Sequence, residues 1–238
     1  MNTILTVKNL TVQFDGEPVI EDVNFELNEG ENLTVIGPNG SGKTVLLKAL
    51  MNTIPSRGEI TWAPNVRLGY VPQKIEVDKH LPLNAKSLFA AKAKILKTSI
   101  KDITTVAKTM GLSPDILETP IGHLSGGQFQ KCLITFALIG KPNVLLFDEP
   151  TSSIDRPREE QIYETLHRLQ DELGLTLILV SHDLSLVYRY ATKVLCLNKY
   201  GLCFGVPSEV LTTKVLEELY GAPHRYYHHL HEHNGHEH

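Results

Sequence analysis

The stretch "NLTVIGPNGSGKTVLLKAL", residues 32–50, sets the strongest limit on what this chain can fold into. An apolar run from Leu33 to Ile36 breaks at Gly37 into a glycine-rich turn, and a helical pattern resumes at Thr44. Strand, turn and helix in that order, with the spacing G-x-x-x-x-G-K-[ST], make a phosphate cradle. Gly37, Gly40 and Gly42 let the backbone of the turn, which also holds Pro38, Asn39 and Ser41, wrap close to phosphate oxygens in front of a helix N-terminus. Lys43 adds a point charge for the terminal phosphates, and Thr44 offers a hydroxyl to Mg²⁺.

A second buried strand is predicted at "NVLLFDEPTSSID". Its continuous apolar run suits a parallel strand covered on both faces. It ends in paired carboxylates, Asp148 and Glu149. Beside a phosphate loop the first can hold Mg²⁺ and the second can orient or deprotonate an attacking water. These two motifs define a P-loop nucleoside triphosphatase without choosing among kinases, GTPases, helicases and transporters.

Composition removes some of those options. Of the 238 residues 23 are basic and 27 acidic, a formal net charge of −4, which gives no electrostatic reason to expect a nucleic-acid partner. The longest apolar runs, such as "LTLILV", are strand-sized, so no bilayer-spanning segment is expected. The N-terminal "MNTILTVKNL" lacks a secretory pattern, and the expected location is cytoplasmic. Cys132, Cys196 and Cys203, an odd and scattered set, read as reduced thiols.

"LSGGQFQK", residues 124–131, opens a further helix with a cap-type hydroxyl on Ser125 and unobstructed N–H groups at Gly126 and Gly127, ahead of Gln128. With this second anion-binding helix start the chain resembles the ATP-binding subunits of ABC transporters, whose signature is LSGGQ, over about Leu5 to Tyr220. The resemblance implies a head-to-tail pair of identical subunits, each signature capping the ATP held by the partner's phosphate loop. It implies that Phe14 stacks on adenine, that Gln73 in "GYVPQK" reaches the Mg²⁺ and water region, and that Asp155 in "SSID" meets the opposite subunit. It also implies that His182 in "LVSHDL" contacts the γ-phosphate and positions water, with Glu149 as base. Thr44, Gln73 and Asp148 are then the expected Mg²⁺ environment. Lys131 and Phe136 depart from the family, which usually has arginines there, and this puts local packing in question.

The expected fold is α/β: a P-loop core with a mainly parallel sheet, an antiparallel β region near the N-terminus, and a helical subdomain inserted at about 74–123. One ATP-binding domain is expected over 1–220, followed by a flexible histidine-rich tail at 221–238. In that tail His224, His228, His229, His231, His233, His236 and His238 alternate with carboxylates, a composition suited to Zn²⁺, Ni²⁺ or Cu²⁺, with Zn²⁺ the candidate ligand. The C-terminal part resembles the ATPase subunits of bacterial zinc importers, relatives of the manganese and iron importers. That likeness implies ATP-driven import of a divalent metal through a separate membrane permease fed by an extracytoplasmic metal-binding protein, with this subunit on the inner face of the membrane. The alternatives are the same ATPase role for manganese, iron or another solute and, from another class, a metal-buffering or interaction protein with a vestigial cassette.

Overall fold

The computed structural model describes residues 2–73, 75–149 and 156–221. Its strands are β1 (Thr3–Phe14), β2 (Glu17–Asn28), β3 (Asn32–Ile36), β4 (Arg57–Trp62), β5 (Leu68–Val71), β6 (Val144–Phe147), β7 (Thr176–Val180), β8 (Lys193–Asn198) and β9 (Tyr200–Gly205). They run across the molecule in the order β4-β1-β2-β9-β8-β3-β7-β6-β5. From β8 to β5 every neighbouring pair is parallel, whereas β1 pairs antiparallel with β2 and β4. This is the mainly parallel sheet with an N-terminal antiparallel region that the sequence predicts.

Parallel neighbours need long crossovers, and helices supply them. They are α1 (Lys43–Leu50), α2 (Ala85–Leu96), α3 (Ile100–Thr109), α4 (Pro114–Glu118), α5 (Gly126–Leu138), α6 (Arg156–Leu173), α7 (Leu184–Tyr190), α8 (Pro207–Val210) and α9 (Thr213–Tyr220). Every residue of β3, β6 and β7 is buried, because helices or the N-terminal strands cover both faces of the sheet. Alternation sorts their side chains. Leu145, Phe147, Leu177 and Leu179 join the core with α5 and α6, while Val144, Leu146, Ile178 and Val180 join the one with α1, β1 and β2. Each such Leu, Ile or Phe contributes roughly 1.5–3 kcal/mol by leaving water.

Between β5 and α5 the described chain forms α2, α3 and α4, with no helix before Ala85. Asn84 caps α2 by accepting a hydrogen bond from the Ser87 N–H at 2.9 Å, and Ile103 and Ala107 of α3, with Met110 just after it, are buried in the core. Phe136 on α5 has an ammonium over it after all. Lys92 of α2 places its Nζ 4.3 Å from the Phe136 ring centre and donates a 2.6 Å hydrogen bond to the Phe136 carbonyl. Burial lowers the pKa of this lysine. The cation near this turn of α5 therefore comes from a neighbouring helix. Lys92→Ala is expected to cost about 1–2 kcal/mol of stability in chemical denaturation, from the lost cation–π contact and charge-assisted hydrogen bond; an unchanged midpoint would contradict this role.

One sequence expectation is overturned. Cys196 and Cys203 are not separate thiols: they form a disulfide, with Cα atoms 4.9 Å apart. They stand seven positions apart in sequence. The β8–β9 hairpin folds that separation back on itself and makes the two cysteines directly opposed partners in the antiparallel register. Cys132, buried on α5, is the free cysteine among the described residues, and burial pushes its thiol up to about 11.

Candidate nucleotide site

The four strands β3, β7, β6 and β5 lie side by side and parallel, with the register pairs Val35↔Val180, Phe147↔Leu179 and Val71↔Phe147 near their carboxyl ends. Whatever follows each strand therefore emerges at one edge of the sheet, the edge where open α/β folds hold ligands. The phosphate loop follows β3, His182 lies just beyond β7, Asp148 and Glu149 follow β6, and Gln73 lies just beyond β5. A cleft of about 380 Å³ opens there, lined by Val19, Asn39, Gly40, Gly42, Lys43, Thr44, Val45, Gln73 and Glu149.

The glycines of the loop answer to particular neighbours. At Gly37 a Cβ would stand 2.0 Å from the Leu197 carbonyl oxygen on β8. At Gly42, where φ is +97°, it would meet the Ile20 side chain at 2.9 Å. The loop is thus wedged between β2 and β8 with no room for a side chain on the protein side. Gly37→Ala forces backbone apart and is expected to weaken nucleotide affinity about tenfold and stability by about 1–3 kcal/mol. Nucleotide titration and thermal melting check this; a variant with normal values would show that the loop tolerates the displacement.

Lys43 is 6% exposed and bends back over the loop, donating to the Gly37 and Pro38 carbonyls at 2.9 and 3.0 Å. Its Nζ is 3.8 Å from Glu149 Oε1. Burial lowers its pKa, and the nearby charges of Glu149 and Asp148 oppose that shift. Glu149 accepts a 2.6 Å hydrogen bond from Gln73 Nε2, which ties the β5 and β6 ends together. The Glu149 backbone sits at φ 43°, a left-handed conformation costly for a side-chain-bearing residue and found disproportionately at functional positions.

Asp148 is 2% exposed, and burial raises its pKa. Hydrogen bonds oppose that shift: Thr44 Oγ1 donates to one carboxylate oxygen at 3.0 Å, and the Tyr70 hydroxyl donates to the other at 3.4 Å. Tyr70 itself is pushed up to about 12, by burial first and then by the Asp148 charge. Sequence reasoning passes over Tyr70, although it stands in "GYVPQK"; its strand position, three residues before Gln73, is the signal that could have found it. Thr44 and Asp148 present hydroxyl and carboxylate oxygens side by side, the donor set Mg²⁺ takes. Ser41 Oγ, buried within the loop without a hydrogen-bond partner, adds an unsatisfied polar atom beside the cradle. The residues present fit a Mg²⁺-bound nucleoside triphosphate.

Phe14, His182 and the residues of the signature helix are not among those lining this cleft. Phe14 ends β1 with 47% of its surface exposed, and His182 is exposed on the loop leading into α7. Ser125 caps α5: its hydroxyl accepts from the Gln128 N–H at 3.3 Å while Gln128 Oε1 accepts from the Ser125 N–H at 2.9 Å. Ser125 and Gly126 are exposed and, with Gly127 and Gln128, are not among the residues lining the cleft of their own chain. Asp155 and the histidines 224, 228, 229, 231, 233, 236 and 238 lie outside the described residues. No helix among the described residues is long and apolar enough to cross a membrane, and no cluster of metal-ligating side chains occurs among them.

Comparison with known proteins gives the same picture. The ABC transporter family model matches residues 20–152. A zinc import ATP-binding protein, ZnuC, of Jannaschia sp. is 35% identical over 92% of this chain and 89% of its own length. The protein of the same name from Haemophilus influenzae is 34% identical over 92% of this chain and 80% of its own. Among solved structures, a chain of a transporter assigned to the metal-chelate type, in an inward-facing conformation, superposes with a TM-score of 0.84 at 27% identity, covering 93% of this chain and 90% of that one. A nucleotide-free ATP-binding cassette superposes with a TM-score of 0.75 over 93% of this chain and 96% of its own, and at 18% identity it speaks for the fold alone. Sheet order, phosphate cradle and sequence similarity lead to one assignment: this chain belongs to the ABC transporter family, as an ATP-hydrolysing cassette.

Proposed function

We propose that this chain binds and hydrolyses ATP as one half of a head-to-tail pair and so drives zinc import through a separate transmembrane permease. The cargo reading is carried by one observation: relatives named for zinc import match 92% of this chain at 34–35% identity. The permease, and an extracytoplasmic metal-binding protein feeding it, belong to the same reading, as does residence on the inner face of the membrane.

Each residue has a distinct task in the hydrolysis. The loop from Gly37 to Gly42 and the start of α1 hold the phosphates, and Lys43 turns from the loop carbonyls to the terminal phosphate oxygens. Thr44 and Asp148, with Gln73, would hold Mg²⁺, which when bound draws charge from the phosphate oxygens. Glu149 accepts the proton of the attacking water, and Gln73 and His182 orient that water. Phe14 stacks on the base. Ser125 to Gln128 lie outside their own cleft, so their anion-binding helix start serves the partner's nucleotide, with Asp155 at the same boundary. The seven tail histidines act as a loose zinc acceptor, tested by comparing zinc uptake by the full chain and by a chain ending at Tyr220.

The test is elemental mass spectrometry of metal-limited cells lacking this gene, with and without restored wild type or Glu149→Gln. The expected result is a zinc deficit reversed by wild type alone. A deficit confined to manganese or iron would move the cargo, and unchanged metals would overturn metal import.

A further inference from the structure

We propose that Cys196 and Cys203 form a reversible thiol–disulfide site, responsive to low-molecular-weight thiols and disulfides, whose oxidised state braces the phosphate loop; the readout rests on the cleft being a nucleotide site. The pair is placed at the loop's support. Cys196 is fully buried on β8 and lies in register with Ile36, the residue immediately before Gly37. The next residue of β8, Leu197, presents the carbonyl oxygen that leaves no room for a side chain at Gly37. Two residues further, the Lys199 N–H donates to the Ser41 carbonyl at 3.4 Å, and the Lys199 carbonyl accepts from the Glu21 N–H at 2.8 Å.

The other end of the bridge is a different support. Cys203 is on β9, the strand that joins β8 to β2 through the pair Glu21↔Tyr200. From β2, Val19 lines the cleft and Ile20 packs on Gly42. The disulfide therefore ties β8, which meets the loop directly, to β9, the strand between β8 and β2, and β2 meets the loop from its other side. Reduced, the hairpin keeps its hydrogen bonds and loses the covalent tie, so more of the loop's ordering is left to be done when nucleotide binds.

Access favours exchange at one sulfur. Cys203 is half-buried while Cys196 is fully buried. The Cys203 thiolate attacks a small disulfide, releasing one small thiol and forming a mixed disulfide. Cys196 then displaces the second small thiol. Two protein thiols lose two electrons and two protons, and one small disulfide becomes two thiols. Cys132 stays out of this chemistry, because it is buried and its thiol is pushed up to about 11.

The experiment equilibrates the full chain with glutathione and glutathione disulfide in graded ratios. Maleimide labelling after denaturation counts free thiols, and fluorescent ATP titration measures affinity. Expected are three free thiols in the reduced protein and one in the oxidised, with affinity weakened roughly three- to tenfold on reduction, the ordering cost of one or two groups. Cys203→Ser should bind like the reduced wild type in both buffers. Failure of the bridge to form with glutathione disulfide, resistance of the bridge to reduced glutathione, or equal affinity in both states would each overturn the proposal. Absence of nucleotide binding in either state would overturn the nucleotide site itself. Because wild type alone yields the comparison, the test holds even where the serine variant folds poorly.

Discussion

Glu149→Gln should lower the rate of ATP hydrolysis by about 10²–10⁴, the range of a lost general base, while leaving ATP affinity within about twofold. The substitution is nearly isosteric, and a glutamine carbonyl can still accept the hydrogen bond that Gln73 gives at 2.6 Å. What disappears is the negative charge and the basicity. The charge stands 3.8 Å from Lys43 Nζ, so its removal relieves repulsion of the incoming phosphates and should not weaken their binding. With hydrolysis blocked and binding intact, ATP should hold two copies together, visible as a dimer in size-exclusion chromatography with ATP and as a monomer without it. Phosphate release near the wild-type rate would remove Glu149 from the role of base.

Lys43→Ala should do the reverse and remove nucleotide binding first. A charge-assisted hydrogen bond is worth about 1.5–3 kcal/mol, which corresponds to roughly 10- to 100-fold in affinity, and hydrolysis should become undetectable. Stability should change little, by less than about 1 kcal/mol, because two effects oppose each other. The loop loses the hydrogen bonds from Nζ to the Gly37 and Pro38 carbonyls, but the fold no longer has to bury a cation whose pKa burial already lowers. Lys43→Arg should recover little, since a planar fork cannot enter a loop shaped around an ammonium. Fluorescent-nucleotide titration beside thermal melting separates these effects; normal affinity in Lys43→Ala would show that the cleft is not the phosphate site.

Local features are the ones the sequence spells out. The strand, turn and helix around Gly37 to Thr44 are written in adjacent residues, and β6 announces itself as an unbroken apolar run ending in Asp148 and Glu149. The parallel order then brings Gln73, far away in the chain, to within 2.6 Å of Glu149. Composition does not state that distance; the resemblance to a family anticipates only the neighbourhood. Tyr70 escapes a sequence reading because a tyrosine on a strand ordinarily signals packing, and its 3.4 Å contact with Asp148 exists only once β5 lies beside β6. The cysteine pairing escapes it for a related reason. Spacing alone does not reveal that Cys196 and Cys203 face each other, because that follows from the hairpin register set at Asn198 to Tyr200. Phe136 shows the same limit from the packing side, since the lysine above it lies 44 residues earlier.

In the proposed function one chain carries the phosphate cradle and the base but only half of a working site, the signature helix of a second copy supplying the remainder. The most direct test is Mg²⁺-dependent phosphate release by the purified full chain, measured per molecule across a wide range of protein concentrations. The specific rate should rise with concentration until the pair is saturated, require Mg²⁺, and fall at least about 100-fold in Glu149→Gln. A specific rate independent of concentration would contradict the shared site, and no phosphate release at any concentration would contradict ATP hydrolysis in the cleft.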